Sequence, residues 1–133
     1  MRAVTIVGGG LAGCEAALQL ADRGFRVRLF EMRPGTPTGA HKTEQLAEIV
    51  CSNSFKSTLL DTASGLLKAE MDALGCRLLP VARANSVPAG HALGIDRTLF
   101  AGAVTAAVSA HDNIRIERRR IDTLDLEPPA VLA

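Results

Sequence analysis

Three glycines, a carboxylate and a thiol are the residues in this sequence whose types and spacing could do chemistry. Gly8, Gly10 and Gly13 lie in VTIVGGGLAGCEAA, Val4 to Ala17, as a G-x-G-x-x-G run. In that spacing the first glycine permits a tight turn, the second lets backbone approach a pyrophosphate, and the third lets a helix pack closely on a strand. Amides and dipole at the start of that helix would supply donors and positive potential to phosphate oxygens. Gly8, Gly9, Gly10, Leu11, Ala12 and Gly13 are therefore the candidate phosphate-binding turn. Glu31, followed by Met32 and Arg33, lies about 20 residues further on, where a carboxylate accepts bonds from a ribose diol and disfavours a 2′-phosphate. Cys51, in CSNSFKS, is the candidate thiol; on chemistry alone a lone cysteine is more often a small packing residue than a nucleophile.

Elements must hold these residues in place. Ala3 to Val7 reads as a short buried strand, Leu11 to Ala21 as a small-residue helix stopped by Gly24, and Arg26 to Phe30 as a second strand. Strand, glycine turn, helix and strand from 3 to 31 form the context that gives the glycine pattern its meaning. The same stretch contains Leu11-Ala12-Gly13-Cys14, which resembles a lipoprotein processing box. Three glycines dilute its apolar core and Arg2 alone supplies its positive end, so Cys14 is read as a packing residue at the helix start.

Beyond Glu31, MRPGTPTGAHKT from Met32 to Thr43 reads as a surface loop in which Arg33, His41 and Lys42 could meet phosphate or an acidic substrate. Glu44 to Val50 can make two helical turns, and a helix beginning near Cys51 could lower its thiol pKa. Ala63 to Leu74 predicts an amphipathic helix with Ala63, Leu66, Leu67, Met71 and Leu74 on its apolar side and Gly75 as its stop. Leu78 to Val81 reads as a strand or extended run, Asp96 as the cap of a helix over Thr98 to Ala110, and Asn113 to Glu117 as a strand. Arg118-Arg119-Arg120 reads as a solvated edge in preference to an RNA contact. Pro129 to Ala133 begins an apolar run, the expected start of a further strand.

Composition limits the alternatives. A chain of 133 residues is about one domain, and a net charge of +1 announces neither a nucleic-acid nor a membrane partner. No stretch approaches the roughly 18 apolar residues of a membrane helix. Three dispersed cysteines with no C-x-x-C pair argue against a disulfide framework and a structural zinc site, and point to a reducing cytoplasm. With four Phe and no Trp or Tyr, few side chains could stack on a flavin or a base.

The sequence resembles the folate- and FAD-dependent tRNA uracil-5-methyltransferase family, TrmFO. VGGGLAGCEAA, FEMRP at Phe30 to Pro34, AHKT at Ala40 to Thr43, LAEIVCSNSFKS at Leu46 to Ser57, SGLLKAEM at Ser64 to Met71, and VPAG with IDR ending at Arg97 match it from end to end. EMRP and VCSNS are its specific blocks; proteins of the MnmG (GidA) type share the glycine turn without them. Gly39 and His91 depart from the usual pattern. The resemblance implies a Rossmann-like, glutathione-reductase-type flavoprotein fold, with residues 1–133 as the N-terminal part of an FAD-binding domain whose last strand is cut in mid-course. It also implies FAD as cofactor, NADPH and methylenetetrahydrofolate as co-substrates, a T-loop uridine of tRNA as target, and no DNA, membrane or metal partner. Cys51 matches the family's VCSNS cysteine, as nucleophile or proton handler, and Asn53 and Ser54 join Arg33, His41 and Lys42 as lining residues. A stand-alone FAD- or NAD-binding module, or a fragment of another flavin oxidoreductase or MnmG-type protein, is the alternative.

Overall fold

The computed structural model describes residues 2–133. β1 (Ala3–Val7) leads through the glycine turn into α1 (Leu11–Asp22) and back to β2 (Arg26–Phe30). An inserted segment follows, with β3 (Ser54–Ser57), α2 (Ala63–Ala73), α3 (Leu78–Ala84), β4 (Ser86–Val87) and β5 (Ala92–Ile95). α4 (Arg97–Ser109), β6 (Ile114–Glu117) and β7 (Ala130–Leu132) complete the chain order.

β6-β2-β1-β7 form a parallel sheet, so its strands lie in the spatial order third, second, first, fourth. This is the order of the first four strands, 3-2-1-4, of a doubly wound Rossmann sheet. Val7 pairs with Phe30, and Phe30 with Glu117, so Gly8, Glu31 and Arg118 emerge side by side from the carboxyl ends of three adjacent strands. Ligands of such sheets bind beyond those ends. The insertion carries a separate antiparallel sheet in the order β3-β5-β4.

The core forms where α1 and α4 cover the parallel sheet. Ile6, Leu29, Ala17, Phe100, Val104 and Val108 are fully buried there, continuous with Leu79, Ala82 and Ile95 from the insertion side. α1 ends as read: Gly24, at φ +83°, follows the Arg23 cap and its amide donates to the Ala21 carbonyl. Asp96 caps α4 by accepting from the Leu99 amide, and Gly75, at φ +77°, follows α2.

Three readings change. Leu78 to Val81 is the first part of helix α3, not a strand. The Glu15 carboxylate accepts from the Arg77 and Leu78 amides, an external cap, and Pro80 sits in the first turn, where its missing N–H is no loss. Glu44 to Val50 forms no helix, because its donors are spent elsewhere: the Ala47 amide on the Gly9 carbonyl and the Leu46 amide on Thr105 Oγ1. On α2 Met71 packs against the core, but the leucines of the apolar stripe do not face it. Leu66, Leu67 and Leu74 are 50, 55 and 80% exposed, while Gly65 lies against the Leu59 carbonyl and Lys68 Nζ donates to the Ser57 and Ser64 carbonyls.

Candidate nucleotide site

The glycine turn is built by exclusion of side chains. A Cβ on Gly13 would overlap the Gly8 carbonyl, and Gly8 itself, at φ +110°, adopts a conformation that L side chains rarely take. A Cβ on Gly9 would come within 2.7 Å of Leu46 Cδ2 and 2.8 Å of Glu31 Oε2. Gly10 differs: nothing lies within 4 Å of where its Cβ would point. As the N-cap of α1 it offers no side-chain bond, and the first turn holds no acidic residue. The Leu11, Ala12 and Gly13 amides thus have no helical partner and no competing carboxylate, the condition for receiving an anion.

Beyond the turn opens a recess of about 630 Å³ lined by Gly8, Gly9, Gly10, Glu31, Met32, Arg33, Thr38, His41, and Arg119 to Ile121. Glu31 is 6% exposed; its Oε2 accepts from the Gly9 amide at 3.0 Å and its Oε1 from the Arg33 amide and Nε, each at 2.9 Å. Burial pushes this carboxyl's pKa up, but the Arg33 and Gly9 donors outweigh it and hold the group below its ordinary value. Arg33 is 3% exposed and its guanidinium is turned inward, with Nε on Glu31 and Nη1 on the Thr43 carbonyl and Glu48. His41 is held by Thr38, whose Oγ1 lies 2.6 Å from Nδ1 and accepts from the His41 amide at 3.0 Å.

Other candidates lie elsewhere. Leu11, Ala12 and Ser54 line an apolar recess between α1, α2 and α3, and Lys42 lines a third one with Glu48 and Ile49. Cys51 and Asn53 line a polar recess of about 520 Å³ beside Asp96, Arg97 and Thr98, at the N-terminus of α4. Cys51 is exposed, Cys76 half-buried and Cys14 buried, and none of the three forms a disulfide. The thiol and the glycine turn therefore open into different recesses. They are tied by chain: Ala47, bonded to Gly9, is four residues before Cys51, within about 14 Å at full extension. Cys14 is fully buried, its Sγ 3.4 Å from the Gly9 carbonyl, and burial raises its pKa to about 12.

The arginine run is exposed beside the edge strand β6, as read, and it also borders the glycine recess. Arg118 Nη1 donates to the Arg33 and Glu44 carbonyls, Arg119 stacks 4.9 Å from the Phe30 ring centroid, and Arg120 lines the glycine recess. Their place beside the recess follows from position, because residues just after a parallel strand share an edge with the other strand ends. Among the described residues no group of three His, Cys, Asp or Glu is placed to hold a metal, and no helix is long and apolar enough to cross a membrane.

The sheet order, the glycine turn at the start of α1 and the carboxylate closing on it define a dinucleotide-binding domain of the Rossmann type. Residues 3–132 match the family model described as glucose inhibited division protein A, and the chain belongs to that family. It is 50% identical over all 133 residues to the methylenetetrahydrofolate tRNA-(uracil-5-)-methyltransferase TrmFO of Syntrophomonas wolfei, covering 30% of that protein. The proteins of the same name from Rubrobacter xylanophilus and Aquifex aeolicus are 54% and 47% identical, over 100% and 98% of this chain. The chain spans about 30% of the length of these relatives.

Proposed function

We propose that this chain is the FAD-binding N-terminal part of a methylenetetrahydrofolate-dependent tRNA (uracil-5-)-methyltransferase that acts on a T-loop uridine in the cytoplasm. The observation that carries this is whole-chain similarity of about 50% to proteins of that name, in a chain whose glycine turn and Glu31 face one recess. The residues fit the cofactor: Gly10 leaves space for a pyrophosphate, the α1 amides point donors at it, and Glu31 offers a fixed acceptor to the ribose. FAD, when bound, would relay the folate one-carbon unit to uridine C5 with electrons from NADPH.

The chain's own residues would bind and orient that cofactor and handle one proton or bond at the base. Uracil C5 is a poor nucleophile until C6 is attacked or a base assists, and the Cys51 thiol suits either role once deprotonated. Its separate recess favours a second reading, in which Cys51 is structural and the chain is a nucleotide-binding module. Cys51→Ala, made in the protein expressed at the length of its relatives, decides between them. Retained FAD with lost folate-dependent uridine methylation is expected; full methylation would remove Cys51 from the mechanism, and a colourless wild-type protein would remove FAD.

A further inference from the structure

We propose that Glu48 is a positioning residue for the nucleotide: through the buried Arg33 guanidinium it holds Glu31 against Gly9 and pins Leu46 and Ala47 on the outer side of the glycine turn. The proposal rests on the nucleotide-site reading given above. Arg33 sits between two carboxylates, with Nε 2.9 Å from Glu31 Oε1 and Nη1 3.2 Å from Glu48 Oε2. The three side chains are 4, 7 and 12% exposed for Arg33, Glu31 and Glu48, so this charge is not shared with solvent.

Glu48 also gathers its own loop. Oε1 accepts from the Lys42 amide at 2.9 Å, and Oε2 from the Thr43 amide at 3.1 Å and Thr43 Oγ1 at 2.9 Å. Arg33 Nη1 reaches the Thr43 carbonyl at 3.0 Å, closing the circuit. The segment so anchored places the Ala47 amide 2.9 Å from the Gly9 carbonyl, while Glu31 takes the Gly9 amide. Gly9 is thereby fixed on both its polar atoms. Removing the Glu48 charge frees the Arg33 side chain to shift, so Glu31 keeps its Gly9 and Arg33 amide donors but loses the fixed guanidinium that sets its angle towards the ribose position. A guanidinium shared between two carboxylates keeps a geometry that a single pair does not impose.

The test uses the protein at the length of its relatives. Glu48→Gln keeps shape and removes charge; its FAD dissociation constant is expected to rise about tenfold, the scale of one charge-assisted hydrogen bond. In a Glu31→Gln background the same change should cost less than about threefold, because Arg33 then has no carboxylate to align. Equal factors in both backgrounds would show mere structural support and overturn the proposal, as would unchanged affinity. Amide exchange at Gly9 and Ala47 gives a readout independent of FAD. If wild type binds no FAD, the nucleotide reading fails, and exchange alone decides: faster exchange in Glu48→Gln supports the pinning, unchanged exchange refutes it. Should Glu48→Gln not fold, Glu48→Asp, charged but one methylene short, is expected to bind with intermediate affinity, and wild-type affinity would refute the role.

Discussion

Alanine at Gly10 and at Gly13 separates the two tasks of glycine in the turn. Gly13 has the Gly8 backbone where its Cβ would go, so Gly13→Ala should destabilise the fold by about 1–3 kcal/mol, the range for overpacking, as read by urea unfolding. Gly10 faces open space at φ −79°, a conformation alanine accepts, so Gly10→Ala should melt like wild type yet bind FAD at least about tenfold more weakly. Normal binding by Gly10→Ala would place the pyrophosphate elsewhere. Glu31 makes a pH prediction. Its folded pKa lies below the ordinary 4.5, so its contribution is complete above that value and is lost as pH falls from about 4.5 through the depressed folded value. Unfolding free energy should fall across that window in wild type and fall less steeply in Glu31→Gln; Glu48, also held low, leaves a residual slope. Parallel slopes would mean that Glu31 does not carry the effect. The glycines, Glu31 and the buried Cys14 were legible because each has a local signature. The inward turn of Arg33 was not, since its partner Glu48 is set by a loop fold that spacing does not encode.

Asp96 shows how far one residue can define an element. Its side chain accepts the Leu99 amide at the start of α4, the helix that covers the parallel sheet and borders the Cys51 recess. Asp96→Ala should cost about 1 kcal/mol, or about 3–5 °C in melting temperature for a chain of this size, and a change under a degree would mean that the first turn finds another acceptor. Caps, stops and the βαβ unit were readable because they depend on neighbours along the chain. The misread elements depend on distant partners. Helix α3 is nucleated by Glu15, some sixty residues earlier, and Glu44 to Val50 is kept from helix by Gly9 and Thr105. The exposed leucines of α2 make the same point. Periodicity identified a helix, but Lys68 and the close approach at Gly65, not the leucine stripe, chose the face turned inward.

At the scale of the molecule, the carboxyl ends of the parallel sheet present one recess suited to the phosphate and ribose of a nucleotide. Gly8 to Gly10, Glu31 and the Arg119 to Ile121 segment line one recess, whereas Cys51 opens into another and the chain carries few aromatic side chains to hold a ring system. The 133-residue chain should therefore recognise the adenosine diphosphate moiety and little beyond it. ADP and FAD are expected to bind it with dissociation constants within about threefold of each other, less than 1 kcal/mol apart, and each to displace the other in a fluorescence competition. In the protein at the length of its relatives, FAD should gain strongly over ADP, because the added chain is what could supply contacts to the flavin. Preference of the short chain for FAD by more than tenfold would show that its own residues already grip the ring. The apolar recess between α1 and α2, lined by Leu11, Phe55 and Met71, would then be the place to look for that grip. Since Phe55 adjoins the Cys51 segment through β3, such a result would also bring the thiol within reach of the chemistry that the second reading denies it.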